Sequence, residues 1–283
     1  MSGRGHRAPR RAELSQHFLR GRALAASLVA QTNISSNDLV VEIGPGRGVL
    51  TRELAERCHR LVAIELDEQL HTALKESLGD DRRIELVHGD FLRRPLPDTP
   101  YKVFGSIPYG RTAEIVRKVV GARVPPDDAY MIVQREAAER FAGSPFAPET
   151  LPSLLIKPWW QAEITRRLRR TDFDPPPTVD SVVLWLARRS RPLIEESQGA
   201  AYRGFIELAF GRRGNSLRRC LRGLLTPAQI GRLADDLGFD PQSPPSELSF
   251  DRWLALFRFF VAEAGTDRVR LPGRRRSVTR RRP

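Results

Sequence analysis

The chain has 283 residues and a mass of 32.0 kDa, which is enough for one α/β domain and a small second domain. Hydrophobic residues make up 40% of it, which excludes a chain that is disordered throughout. The net charge of +13 comes mainly from two arms: residues 1–11 hold four arginines and no acid, and residues 267–283 hold eight arginines and one aspartate. Without them, 35 basic residues oppose 33 acidic ones. The arms are therefore predicted to contact a polyanion such as nucleic acid, with a role in solubility as the alternative.

Three further features limit the class of protein. No apolar run approaches the roughly 20 residues that a bilayer span needs, so no membrane contact is expected. The two cysteines are far apart, which fits a reducing cytoplasm. The five histidines show no ligand spacing, and no metal is predicted. A cytoplasmic protein is expected, with an organellar transit peptide at the Arg-rich start as the alternative.

The first two thirds of the chain alternate between predicted strands and helices. A helix is predicted over 21–31. Five short strands follow, with helical segments between several of them, over 39–43, 61–66, 84–88, 101–105 and 129–134. Two longer strands are then predicted over 162–168 and 182–187. Apolar runs of about five residues separated by helices predict a parallel sheet that is covered on both faces. The two longer strands predict an antiparallel pair that closes the sheet.

Only helices are predicted after about Pro192, over 199–210, 215–224, 226–237 and 250–264. Thr226 followed by Pro227 is a helix start, and Gly238 is a helix stop. Four segments are therefore predicted: a basic arm over 1–13, an α/β domain over 14–190, a small helical domain over 191–265 and an Arg-rich tail over 266–283.

A glycine-rich turn follows the first strand of the predicted sheet. Residues Glu42–Gly48 read EIGPGRG, and glycines such as Gly44 and Gly46 let the backbone approach a ligand closely. A dinucleotide fingerprint needs its third glycine at Val49, one residue after Gly48. The spacing therefore argues against NAD or FAD.

Carboxylates follow the next two strands. Glu65 ends the second strand about 20 residues after the turn, where a carboxylate can accept hydrogen bonds from both ribose hydroxyls. Asp90 follows the third strand and could accept from the adenine amine of a bound cofactor, with Phe91 against the ring. The alternatives are a solvated strand end for Glu65 and a turn cap for Asp90.

The fourth strand ends in a turn whose residues suit a flipped-out base. Ser106 and carbonyls exposed at Ile107 and Pro108 could accept from an exocyclic amine, and Tyr109 could stack on the ring. Such a grip aims the nitrogen lone pair at an electrophilic methyl group, so orientation and electrostatics supply most of the acceleration. The alternative is an ordinary Pro-Tyr-Gly surface turn.

Taken jointly, the motifs resemble the Erm ribosomal RNA adenine N6-methyltransferases, kin to the small-subunit rRNA dimethyladenosine transferases and to mitochondrial transcription factor B. The resemblance runs from about Leu14 to Ala262 and rests on Ser15–Leu19, Glu42–Gly48, Glu65 with Asp67, Gly89 with Asp90, Phe104–Tyr109 and Phe173–Ser181. It implies an α/β fold, namely a Rossmann-like class I S-adenosylmethionine-dependent methyltransferase domain with a small all-α C-terminal domain.

The same resemblance implies a site and a substrate. S-adenosylmethionine would be contacted by residues from the covering segment 16–19 and from the sheet edge: His17, Leu19, Gly44, Gly46, Glu65, Asp90, Phe91 and Ser106. The target adenine would be gripped at Ser106, Ile107 and Pro108, between Tyr109 and Phe173. The substrate would be 23S rRNA, nascent or unassembled, methylated near the peptidyl-transferase centre, which blocks macrolide, lincosamide and streptogramin B antibiotics.

The chain departs from the family at two positions. It has Ser106 where the family usually has asparagine, and His17 where asparagine is frequent. A serine hydroxyl can accept from the amine, but it is shorter and can rotate to donate instead. Slower transfer or mainly monomethylation is therefore predicted.

RNA contacts are predicted at arginines near the pocket and in two basic clusters: Arg111, Arg166, Arg167, Arg212, Arg213, Arg218 and Arg219. Solvated surfaces are the alternative for each cluster. The protein is expected to be a monomer. Alternative functions are a small-subunit (16S) rRNA adenine dimethyltransferase, a DNA adenine methyltransferase and a non-catalytic nucleic-acid-binding relative.

Overall fold

The structure is a computed structural model that describes residues 17–211 and 215–264. These residues divide into two compact units. The first contains 17–142 and 159–190, and the second contains 143–158, 191–211 and 215–264. Across the described residues, no helix combines the length and the apolar composition that a bilayer crossing requires.

The first unit is built on a mixed sheet. Its strands are β1 Phe18–Leu19, β2 Leu39–Ile43, β3 Arg60–Glu65, β4 Ile84–His88, β5 Lys102–Ser106, β6 Asp128–Gln134, β7 Trp160–Leu168, β8 Phe173–Asp174 and β9 Ser181–Arg188. Seven of them form one sheet in the order β4-β3-β2-β5-β6-β9-β7, parallel from β4 to β6 and antiparallel where β9 meets β6 and β7. The predicted parallel sheet with a closing antiparallel pair is confirmed.

Helices cover this sheet, namely α1 Arg22–Ala30, α2 Val49–Arg57, α3 Glu68–Leu78, α4 Thr112–Val120 and α5 Arg135–Ala142. The turns that start them are specified locally: Gly48 adopts a left-handed conformation before α2, and the carboxylate of Asp67 accepts from two amides at the start of α3. The sequence analysis did not predict α5. The carboxyl ends of β2 to β5 lie along one edge of the sheet, where parallel α/β folds place their ligands.

The second unit is helical, with α6 Leu151–Ile156, α7 Gly199–Gly211, α8 Leu217–Cys220, α9 Pro227–Leu237 and α10 Phe250–Ala264. As predicted, Thr226 caps α9 and Gly238 ends it in a left-handed conformation. The predicted helix over 215–224 is wrong in length, because α8 has only four residues and Gly223 adopts a positive φ of 82°.

Residues 143–158 group with the helical unit, whereas the sequence analysis placed them in the first domain. The reason is a buried polar network. Glu149 accepts from Lys157 at 2.5 Å, from the hydroxyl of Ser153 at 2.7 Å and from the backbone amide of Phe250 at 3.2 Å. Because a buried carboxylate is costly unless it is paired, this network ties the segment to the start of α10.

Candidate active site

A cleft of about 1070 Å³, counted to its open mouth, lies at the carboxyl edge of the sheet in the first unit. Four groups of residues line it: the chain before α1, the glycine-rich turn after β2, the acidic residues that follow β3 and β4, and the turn after β5. Of the predicted cofactor-binding residues, all eight line the cleft. The cleft therefore brings the predicted cofactor contacts together on one concave surface.

The glycine-rich turn brings backbone close to the cleft. Gly44, Gly46 and Gly48 all have positive φ, which side chains disfavour. A β-carbon on Gly44 would lie 3.3 Å from the carbonyl oxygen of Ser106, and one on Gly46 would lie 2.8 Å from the ring of Phe18. The turn therefore forms a cradle in which both conformation and space require glycine.

Glu65 is 4% exposed at the end of β3. The amide of Gly46 donates to its Oε2 at 2.9 Å, and the amide of Asp67 donates to its Oε1 at 2.9 Å. Burial raises the pKa of Glu65, and these two hydrogen bonds oppose the rise. The carboxylate is thus held at the cleft wall, and each oxygen keeps a lone pair that can accept from a ligand hydroxyl.

Asp90 and Phe91 follow β4. One oxygen of Asp90 accepts from the amide of Leu92 at 2.9 Å, so the predicted turn cap is present. Its other oxygen lies 3.4 Å from the guanidinium of Arg111. Phe91 is held by Lys118, whose ammonium lies 4.7 Å from the ring centroid and donates to its carbonyl oxygen. Both side chains line the cleft and can meet an adenine ring there.

The turn after β5 also lines the cleft, next to the glycine cradle. Ser106 and Tyr109 are half-buried and Ile107 is buried. The Tyr109 hydroxyl lies 2.6 Å from Oγ of Ser181, and the His17 ring stacks on the Tyr109 ring with centroids 5.6 Å apart. Burial raises the pKa of Tyr109, and the contact with Ser181 opposes the rise. Ser181 was noted in the sequence only as the last residue of a motif, and its contact with Tyr109 was not predicted.

The chain before α1 forms a strap, defined as His17–Arg20. Its β1 pairs antiparallel with β8, so Phe18 opposes Asp174 and Leu19 opposes Phe173. Nδ1 of His17 lies 2.8 Å from the carbonyl oxygen of Pro175. The strap therefore lies along the cleft, as the sequence analysis expected for residues 17–19, whereas Gln16 is outside the described residues.

Phe173 does not lie where the sequence analysis expected it. Its side chain is 1% exposed and belongs to the core cluster that contains Leu19, Phe104 and Val183. Among the described residues that line the cleft, Phe173 is absent. The structure thus does not place Phe173 as a second stacking surface, because the ring packs in the core where β8 pairs with β1, and its contact with an adenine stays a prediction.

The predicted RNA-binding arginines fall into different environments. Arg111 lines the cleft and pairs with Asp90 and Glu114, and Arg166 donates to the hydroxyl of Ser27 at 2.6 Å. These two are engaged within the fold. Arg167 is exposed on β7, as are Arg218 and Arg219 on α8, whereas Arg212 and Arg213 lie outside the described residues.

The parallel sheet, its glycine cradle and the acidic residues after β3 and β4 together define a class I S-adenosylmethionine-dependent methyltransferase fold. The chain belongs to the ribosomal RNA adenine dimethylase family, whose model matches residues 8–261. The expected enzyme class, an rRNA adenine methyltransferase, is thereby confirmed.

Two curated relatives and one solved structure illustrate the similarity. An rRNA adenine N-6-methyltransferase of Streptomyces fradiae is 34% identical over 88% of this chain and 78% of its own length. Ribosomal RNA small subunit methyltransferase A of Geobacter metallireducens is 32% identical over 94% and 100%. The crystal structure of the 23S rRNA methyltransferase ErmE is 31% identical, with a TM-score of 0.80 over 85% of this chain and 98% of that one.

Proposed function

We propose that the protein transfers a methyl group from S-adenosylmethionine to N6 of an adenine in 23S rRNA, near the peptidyl-transferase centre, and thereby confers resistance to macrolide, lincosamide and streptogramin B antibiotics. The observation that carries the proposal is a single cleft that the cradle, Glu65 and the turn Ser106–Tyr109 line together. The similarity to a solved 23S rRNA methyltransferase supports the choice of RNA.

The residues present fit this cofactor. The cradle at Gly44 and Gly46 excludes side chains, through positive φ and close neighbours, and so lines the cleft with backbone. Glu65 can accept from the ribose hydroxyls, and Asp90 from the adenine amine, with Phe91 against the ring. When bound, S-adenosylmethionine supplies an electrophilic methyl group on a sulfonium.

The chain itself orients the acceptor. Tyr109 offers a ring that Ser181 fixes by its hydroxyl, and Ser106 offers an oxygen beside the cradle. A base that stacks on Tyr109 would present its exocyclic amine to Ser106, and acceptors on that amine localise its lone pair toward the methyl group. Positioning then supplies most of the acceleration, and the methylated amine can lose its surplus proton to water.

A second candidate is adenine dimethylation in small-subunit rRNA. The supporting observation is the match to the Geobacter metallireducens small-subunit enzyme over its whole length. Both candidates use the same chemistry and differ only in the RNA.

Methylation of 16S and 23S rRNA by the purified protein, with labelled S-adenosylmethionine and mapping of the modified position, tests the proposal. Label in 23S rRNA near the peptidyl-transferase centre, with a raised macrolide tolerance in an expressing host, is expected. The Tyr109→Ala variant, for which lower activity is expected, serves as the control for the acceptor turn. Label confined to 16S rRNA would establish the second candidate, and no label in either RNA would refute both.

A further inference from the structure

Asp174 accepts hydrogen bonds from two arginines that belong to different segments of the chain. Arg20 donates to its Oδ1 at 3.0 Å, and Arg47 donates to its Oδ2 at 2.7 Å. The two ion pairs lower the pKa of Asp174, the pair with Arg47 having the larger effect. The carboxylate is therefore charged across the neutral range and bridges both cations.

The two arginines belong to two segments that line the proposed cofactor site. Arg47 lies inside the cradle, between Gly46 and Gly48, and Arg20 ends the strap. The Arg47 guanidinium also lies 4.6 Å from the centroid of the Phe18 ring, and that ring fills the space where Gly46 has no side chain. The strap thus contacts the cradle through Phe18, and Asp174 forms one ion pair with each of these two segments.

The backbone around Asp174 completes the connection. Asp174 opposes Phe18 in the β1–β8 pair, and the amide of Arg20 donates to the carbonyl oxygen of Asp172 at 2.7 Å. A shift of the strap away from the cradle would break one of these ion pairs: the pair with Arg47 if β8 moves with the strap, or the pair with Arg20 if β8 stays with the cradle. Separation of the strap from the cradle is therefore opposed in either case by an ion pair on Asp174.

We propose that Asp174 is a positioning residue that keeps the strap closed against the cradle and so sets how long the cofactor, or its demethylated product S-adenosylhomocysteine, stays bound between successive methyl transfers. The inference rests on the proposed cofactor site. It concerns retention of the ligand and not the chemical step, because Asp174 is absent from the described residues that line the cleft.

The first test uses Asp174→Asn in the full-length protein. Exposed ion pairs change an equilibrium only modestly, about fivefold each at most. The dissociation rate and Kd of S-adenosylhomocysteine, measured by stopped flow and calorimetry without RNA, are expected to rise roughly 3- to 10-fold. The difference from the parent should shrink at high ionic strength, because salt screens exposed charges.

The matched control is Asp180→Asn. Asp180 is an exposed carboxylate on the same connection between β7 and β9, and it also pairs with two arginines, Arg135 and Arg170. Neither arginine belongs to the strap or to the cradle. This variant is expected to bind and release S-adenosylhomocysteine like the parent.

A second variant keeps the inference testable if Asp174→Asn unfolds. Arg20→Gln removes one ion pair on Asp174 at a residue that is absent from the described residues lining the cleft. It should also speed the release, and the double variant should be no faster than the more affected single variant. In methylation assays the KM for S-adenosylmethionine should rise while kcat is preserved. Parent-like release in either folded variant, or an equal effect in Asp180→Asn, would overturn the inference alone. Failure of the parent to bind S-adenosylhomocysteine would overturn the proposed cofactor site as well.

Discussion

At the scale of single residues, Ser106 stands where the family resemblance leads us to expect asparagine. The side chain is half-buried at the end of β5 and lines the cleft beside Gly44. Its one hydroxyl can donate as well as accept, whereas an asparagine carbonyl at that position can only accept. The serine therefore provides a less fixed grip on an exocyclic amine.

We expect Ser106→Asn to raise the methylation rate, or the dimethyl fraction, roughly 5- to 30-fold, which corresponds to one strengthened hydrogen bond. Single-turnover kinetics and mass spectrometry of the modified nucleoside measure both quantities. Ser106→Ala is the matched control and should lower the rate. An unchanged product distribution in the asparagine variant would count against a grip through this side chain.

Tyr109, the residue proposed to stack on the target base, lines the cleft. Tyr109→Ala is expected to lower kcat/KM for RNA about 5- to 150-fold, because stacking on one base contributes about 1–3 kcal/mol. Tyr109→Phe keeps the ring but loses the contact with Ser181, so a smaller loss, about fivefold, is expected. Ser181→Ala should match the phenylalanine variant, and full activity of Tyr109→Ala would exclude the stacking role.

At the scale of elements, the short β1–β8 pair decides what Phe173 does. A buried aromatic ring in a core cluster contributes mainly to stability. Phe173→Ala is expected to lower the free energy of unfolding by about 3–5 kcal/mol, measured by urea denaturation. The more conservative Phe173→Leu should stay folded with a KM for RNA near that of the parent. A folded leucine variant with a large loss of RNA methylation would restore the stacking role predicted from the sequence.

The order of strands and helices could be predicted because the motifs that start and end them depend on residues nearby in the sequence. Glycines with positive φ, the cap at Asp67 and the apolar strands are all set by neighbours in sequence. The seven strands of the main sheet therefore fell within two residues of their predicted ends, whereas the short β1 and β8 were not predicted. Helices α5 and α6 were missed. Helix α8 was predicted too long, because the positive φ of Gly223 is not visible in the hydrophobic pattern.

At the scale of the whole molecule, the dependence of the free energy of unfolding on pH should reflect the protonation of Glu42. The side chain is fully buried on β2, and both carboxyl oxygens lack a hydrogen-bond partner within the described residues. Burial raises its pKa to about 8, with the nearby carboxylate of Glu65 adding to the rise and Thr51 of α2 opposing it. Glu42 is therefore a neutral acid at pH 7.

The direction of the pH effect on stability follows from the state that binds the proton more tightly. Between the ordinary pKa of 4.5 and the raised value of about 8, the folded state holds a proton that the unfolded state has lost. The contribution of this group to stability therefore falls as pH rises through that window, by at most about 1.4 kcal/mol per pH unit. Glu42→Gln should remove this decline.

Urea denaturation of the parent and of Glu42→Gln at pH 5, 7 and 9 measures the effect. The difference in unfolding free energy should shift in favour of the glutamine variant as pH rises. Glu56→Gln, at an exposed partner of Arg22 on α2, is the control and should show no such trend. Parallel pH profiles of the parent and the Glu42 variant would exclude a buried neutral acid.

The sequence by itself determined the α/β order, the cradle, the acidic residues after β3 and β4 and the turn at Ser106–Tyr109. It could do so because parallel strands bring their carboxyl ends to one edge, so that motifs far apart in the chain must meet there. The family resemblance followed from the same ordered series.

Only the tertiary structure decided which side chains face the cleft. Long-range pairing buried Phe173, engaged Arg111 with Asp90, joined Arg166 to Ser27 and brought Arg47 and Arg20 to Asp174. The same kind of pairing placed residues 143–158 with the helical unit. Local patterns give the period of burial along one element but not the partner across the fold, because that partner is selected by packing and charge in three dimensions.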